Sequence, residues 1–158
     1  NSGISGMLGG QSIDIASEDK EISLDLLTEL QRKKTGAFIE AAVVTPYYLS
    51  TLMKRSDSIK DETASDLRKL AEHIGLAFQI KDDILDVTSD SKTLGKSTGK
   101  DARDSKATFV TLLGLEGAKK RLEDESDCIK VILEKFDNNG FDTTDYRTLT
   151  DFLVNRDR

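Results

Sequence analysis

Proline, histidine and cysteine occur once each in this chain, at Pro46, His73 and Cys128. One cysteine cannot close an internal disulfide, which suits a reducing, cytoplasmic setting. No apolar run approaches the roughly 18 residues that span a bilayer, and no lysine-led apolar leader opens the chain, so no transmembrane segment is expected. Sustained alternation of apolar and polar residues is missing, and glycine is sparse outside a few clusters, which excludes a sheet. Excess positive charge is missing too. The 23 Lys and Arg residues are outnumbered by 29 Asp and Glu, and a net charge of −6 does not fit a nucleic-acid partner.

What is present is 158 residues, 37% hydrophobic and 33% charged, enough for one soluble domain with a real core. The chain opens Asn1-Ser2-Gly3-Ile4-Ser5-Gly6-Met7 without an initiator methionine and reads as a fragment or a processed product. The periodicity predicts an all-α fold. Ile4, Met7, Leu8, Gln11 and Ile15 recur at helical spacing, and Ser23 is suited to cap a second helix carrying Leu24, Leu27 and Leu30. A third stripe joins Phe38, Ala41, Ala42, Thr45, Leu49, Leu52 and Met53, with Pro46 expected to kink or break that helix. The longest helix is expected over about 59–87, with Leu67, Leu70, Ala71, Ile74, Ala77, Phe78 and Leu85 inside. A loop follows from Thr88 to Lys106, then a short helix at 108–115. A further helix over 118–136 carries Leu122, Ile129, Ile132, Leu133 and Phe136 on one side and stops at Asn138-Asn139-Gly140. Tyr146, Leu149, Phe152 and Leu153 mark the last.

The most informative run is Phe78 to Asp86. At about 3.6 residues per turn, Gln79, Asp82 and Asp86 share one helix face, with Asp83 at its edge. Like charges this close repel, and a hard cation such as Mg²⁺, bound by carboxylates, phosphate and water, relieves that repulsion. Directly after it, the segment 92–106 holds Lys92, Lys96, Lys100, Arg103 and Lys106 against only Asp101 and Asp104. Carboxylates that hold a metal, beside flexible ammonium groups, would clamp a diphosphate from two sides. The bland alternatives are a solvated helix end and a solvated loop.

Other motifs fail. Gly95-Lys96-Ser97 lacks the earlier glycine of a phosphate loop, since Asp90 stands there, and it follows a helix rather than a strand. The aspartates miss a calcium hand, with Ile84 and Val87 at required positions. Glu72 and His73 are adjacent rather than three apart, so a di-iron bundle does not fit, and His73 reads as a partly buried helix residue. Two clusters remain. Gly6 to Asp14 concentrates small residues along a helical stripe, which costs helix propensity unless something must come close. Lys34-Thr35-Gly36 sets a cation, a hydroxyl and a flexible residue at a helix junction.

In this order the blocks resemble the trans-prenyltransferases, the family of farnesyl and geranylgeranyl diphosphate synthases, and most closely its bacterial farnesyl diphosphate synthases. The matching pieces are G-M-x-x-G-Q-x-x-D at Gly6 to Asp14, K-T-G at Lys34 to Gly36 and G-x-x-F-Q-x-x-D-D-x-L-D at Gly75 to Asp86. Gly95-Lys96, Gly99 to Asp101, Lys106 to Thr108 and the C-terminal Leu153-Val154-Asn155-Arg156 continue the match. The resemblance implies an isoprenoid-synthase helical bundle and a Mg²⁺-dependent enzyme that joins an allylic diphosphate to isopentenyl diphosphate, giving farnesyl diphosphate. It implies that Asp82 binds Mg²⁺ with Asp83 and Asp86 in support. It further implies that Lys34, Lys96 and Lys106 hold the diphosphate, and that Thr35 and Gln79 face the allylic cation. The full-length enzyme is expected to be a homodimer. Nothing matches the family's first aspartate-rich motif: Asp14 and Asp19 are isolated, and Asp61-Glu62 lacks the spacing. Residues 1–158 are therefore expected to form the C-terminal portion of a single synthase domain, inactive alone. The alternative is a non-catalytic helical subunit that pairs with a complete synthase.

Overall fold

The computed structural model describes residues 1–53, 61–93 and 106–156. Among these residues every regular element is helical: α1 (Met7–Ala16), α2 (Leu24–Gln31), a π turn (Arg32–Gly36), α3 (Ala37–Met53), α4 (Asp61–Thr93), α5 (Phe109–Asn138) and α6 (Thr144–Asn155). Among the described residues no helix is long and apolar enough to cross a membrane. Local chemistry explains most of the ends. The Ser23 hydroxyl accepts the Leu26 N–H at 3.2 Å and starts α2. Thr108 and Thr111 cap one another at the start of α5, side chain to backbone in both directions. Asn139 caps its C-terminus, and Gly140 follows at φ 82°, where a side chain would be strained.

Helix α4 is the axis. It packs along α5 for most of its length and also meets α3, the π turn and α6. Leu70, Ala71 and Ile80 of α4 are fully buried with Phe109, Ala118 and Ile129 of α5. Burial of each of the larger ones, Leu70, Ile80, Phe109 and Ile129, contributes on the order of 1.5–3 kcal/mol.

Several expectations need correction. Pro46 does not break α3, which runs through it from Ala37 to Met53. Proline removes its own N–H bond and crowds the carbonyl one turn before it, and burial of Val43 and Val44 just ahead of it holds the helix against the core. The buried face of α3 is therefore Val43 and Val44, whereas Phe38, Leu49, Leu52 and Met53 of the expected stripe are exposed. Ile4, just ahead of α1, and Leu8 and Ile15 within it lie on the surface, and the covered face of the helix is Gly9, Gly10 and Asp14. Helix α4 continues to Thr93 rather than ending near Val87. The two helices expected after it form one element interrupted at Gly114, whose φ of 72° and ψ of 164° are not helical. In α6, Leu149 and Phe152 are exposed, while Tyr146 and Leu153 pack on the core.

Where α4 and α5 meet, Glu125 lies buried. Its Oε1 accepts the Arg121 Nε–H at 2.7 Å, and its Oε2 pairs with His73 Nδ1 at 2.6 Å. His73 is thus a half-buried helix residue bonded to a carboxylate, as the sequence suggested. Burial pushes the Glu125 carboxyl upward, but the His73 hydrogen bond and the Arg121 charge outweigh it and hold the pKa below the ordinary 4.5. A depressed folded pKa means stability that is present above 4.5 and lost as pH falls through the folded value. Glu125→Gln should therefore unfold in urea with a deficit of about 1–3 kcal/mol at pH 7. The deficit should close in acid, where the wild-type carboxyl is itself protonated, and a gap that stays constant with pH would contradict this account.

Candidate functional site

The site is built around the π turn. A π turn adds one residue to a helical repeat and redirects the side chains within it, a distortion that recurs at functional positions. Here it spans the Lys34-Thr35-Gly36 block and is gripped from both sides. On one side Gly10 of α1 faces the turn so closely that an added Cβ would meet Lys34 Cα at 2.7 Å. On the other, a Cβ on Gly75 of α4 would meet Gly36 Cα at 3.3 Å. The small-residue block that costs α1 helix propensity is thus explained by backbone contact, and Gly75 plays the same part in α4.

From these contacts the polar residues follow by helical spacing. Asp14 lies four residues beyond Gly10 on the same face of α1, and Gln79 four beyond Gly75 on α4. Asp14 is buried, its side chain only 10% exposed, and both Lys34 and Lys106 pair with it. Lys106 reaches Oδ1 at 3.2 Å and Oδ2 at 3.3 Å, and the Lys34 ammonium also bonds Oδ2. Burial raises the Asp14 carboxyl pKa, but the hydrogen bonds and charges of Lys34 and Lys106 prevail and leave it below the ordinary 3.8. In the sequence Asp14 closes the Gly6 to Asp14 block and carries no assigned role. The available signal was an acidic residue on the face of α1 otherwise lined by glycine.

On the α4 side a hydrogen-bonded chain leads into the aspartates. Thr35 Oγ1 donates to Gln79 Oε1 at 3.3 Å, and Gln79 Nε2 donates to Asp82 Oδ2 at 3.4 Å. The Arg156 guanidinium pairs with Asp82 Oδ1. It also donates to the Phe78 carbonyl at 3.3 Å and lies 4.5 Å from the Phe78 ring centroid. In the sequence Arg156 stands only as the end of the C-terminal match. Asp83 turns the other way and accepts the Phe109 N–H at 2.7 Å, tying α4 to the first turn of α5. Its carboxyl is pushed up to about 6, chiefly by burial, with Asp86 and Asp82 adding repulsion against the opposing pull of the Phe109 N–H and Lys106. Asp86 is exposed.

Lys34, Thr35, Gln79, Asp82 and Lys106 are therefore drawn into one region, joined through Asp14 and the Thr35–Gln79–Asp82 chain. Lys96 lies outside the described residues. Among the described residues no group of three His, Cys, Asp or Glu side chains converges as a metal site. The donor chemistry of Asp82, Asp83 and Asp86 nonetheless fits a hard divalent cation: all are oxygen donors, and the charges of Asp86 and Asp82 help to raise the Asp83 carboxyl. A cavity of about 350 Å³ opens beside Asp14 and Lys106, walled by Ser17, Glu18, Asp19 and Gln31. Glu18 and Asp19 make it a poor receiver for an anion.

The polyprenyl synthetase family model matches residues 1–140. The chain is 42% identical to the farnesyl diphosphate synthase of Escherichia coli over 158 residues, covering 99% of this chain and 50% of that protein. It is 38% identical to the geranylgeranyl diphosphate synthase of Cyanophora paradoxa, covering 96% and 48%. It also resembles the solved geranyltransferase of Helicobacter pylori complexed with magnesium and isoprenyl diphosphate, with a TM-score of 0.67 at 31% identity, covering 97% and 46%. The chain spans about half the length of the curated relatives it matches.

Because Gly10 meets backbone rather than a movable side chain, Gly10→Ala should force α1 away from Lys34. A loss of about 1–3 kcal/mol in thermal or urea unfolding is expected. Gly3→Ala, where an added Cβ meets nothing within 4 Å, should be nearly neutral. Equal effects at the two positions would refute the packing argument.

Proposed function

Because this chain belongs to the polyprenyl synthetase family, we propose that it is the C-terminal portion of a short-chain prenyl diphosphate synthase. The enzyme joins an allylic diphosphate to isopentenyl diphosphate with Mg²⁺ and gives farnesyl diphosphate. One observation carries this reading: Lys34 and Lys106, distant in the chain, meet beside a hydrogen-bonded run that ends in the aspartates. Cations and carboxylates assembled in one region suit a substrate that is anionic at one end and cationic at the reacting carbon.

In this reading Asp82, Asp83 and Asp86 would hold Mg²⁺, with Arg156 giving up Asp82 as it binds. Bound there, Mg²⁺ neutralises diphosphate charge and makes the leaving group less basic. Lys34 and Lys106, with Lys96 from the segment outside the described residues, take diphosphate oxygens as point charges. They hold the negative charge that develops as the allylic carbon–oxygen bond breaks. Thr35 and Gln79, whose oxygens meet at 3.3 Å, direct their dipoles at the carbocation left behind. The double bond of isopentenyl diphosphate attacks that cation, and the adduct loses a proton to the released pyrophosphate, restoring a double bond.

The opposing carboxylates and the isopentenyl diphosphate site would come from the half of the enzyme that precedes this one, since nothing in this chain matches them. The single cysteine fits a reducing, cytoplasmic compartment, and the homodimer rests on the family resemblance alone.

The test uses the full-length protein. Titration with an allylic bisphosphonate should release heat only with Mg²⁺ present. Asp82→Ala should lower kcat about 100-fold or more, and Lys96→Ala should raise the allylic KM. A full-length protein that neither binds the bisphosphonate nor responds to Asp82→Ala would end the synthase reading.

A further inference from the structure

We propose that Asp14 is a positioning residue that holds Lys34 and Lys106 together as one diphosphate-receiving pair and hands them over when the diphosphate arrives. The inference rests on the synthase reading above and adds a residue to its machinery.

Two features of the site support it. The first is convergence. Lys34 stands 20 residues and Lys106 92 residues from Asp14 in the chain, and both ammonium groups contact the same Oδ2. Long lysine side chains lose considerable rotamer freedom when held, and these two are 33% and 59% exposed, so packing alone does not fix them. The carboxylate supplies the missing constraint. It is buried on the α1 face that Gly10 presses against the Lys34 backbone, so it is anchored to the turn that carries Lys34.

The second is charge. One carboxylate between two ammonium groups leaves a net positive pair, so the site stays attractive to an anion while the lysines' mutual repulsion is suppressed. A diphosphate carries several negative charges and many acceptor oxygens, and it outcompetes a single carboxylate for both lysines. Without Asp14 the two ammonium groups repel and swing into solvent, and the diphosphate must collect them at its own entropic expense. Misplacing a substrate-positioning group in this way costs on the order of tenfold to a hundredfold.

In the full-length enzyme, Asp14→Asn should raise the KM for the allylic diphosphate about tenfold and leave that for isopentenyl diphosphate within about twofold. Asp14→Glu, which keeps the charge, should recover part of the loss. If Asp14 acts through the lysines, the penalty of Asp14→Asn should shrink in a Lys106→Met background, whereas a merely structural role would keep it whole. Should Asp14→Asn fail to fold, the wild-type protein still decides: the Asp14 carboxyl ¹³C resonance should shift when pyrophosphate and Mg²⁺ are added, as the lysines leave it. Unchanged allylic KM in Asp14→Asn, an undiminished penalty beside Lys106→Met, or an unmoved Asp14 resonance at saturating pyrophosphate would each overturn the proposal. A wild-type enzyme without Mg²⁺-dependent allylic turnover would instead overturn the synthase reading itself.

Discussion

Close backbone packing around the π turn at Arg32–Gly36 is the constraint on which the rest of this structure depends. Gly10 on one side and Gly75 on the other let two helices approach a third segment closely, and neither position tolerates a side chain without movement. Helix propensity is sacrificed at both. What is obtained is register: Asp14 and Gln79, each one helical turn beyond its glycine, are brought to opposite flanks of the Lys34–Thr35 backbone. The polar site is thus an extension of a packing contact rather than a separate feature laid over the fold.

The electrostatics then sort the carboxylates by partner. Asp14 receives two lysines and is held ionised, while Asp82 takes Arg156 and Gln79. Asp83 is buried against the start of α5 and surrounded by like charge, so its proton is bound more tightly than a carboxylate's ordinarily is. Residues adjacent in the sequence, Asp82 and Asp83, therefore meet different surroundings. Asp82 is bonded to side chains of α4 and the C-terminus and Asp83 to the backbone that opens α5, so neighbours in one short run are held by different parts of the fold.

Much of this was legible in the residues. The all-helical class followed from the lack of alternation, the Ser23 cap and the Asn139-Gly140 stop from side-chain chemistry, and the buried side of α5 from its periodicity. The stripes of α1 and α3 misled for a common reason. Ile4, Leu8 and Ile15, like Phe38, Leu49, Leu52 and Met53, are apolar at helical spacing yet exposed, because the described neighbours cover the opposite faces. Periodicity reports that a face is apolar and says nothing of which partner covers it. Pro46 does not break α3, because Val43 and Val44 on the preceding turn are buried and hold the helix through it.

By itself, the order of amino acids determined the helical class, the identity of the carboxylates and lysines, and their likeness to a family, since these rest on local spacing and residue chemistry. Only the tertiary structure decided their pairings: that Asp14 gathers Lys34 and Lys106, that Arg156 occupies Asp82, and that Asp83 ties down α5. The physical reason is that charge interactions depend on distance in space. Lys106 and Asp14, 92 residues apart in the chain, become neighbours only when the packing of α1, the π turn and α4 has set the distance between them.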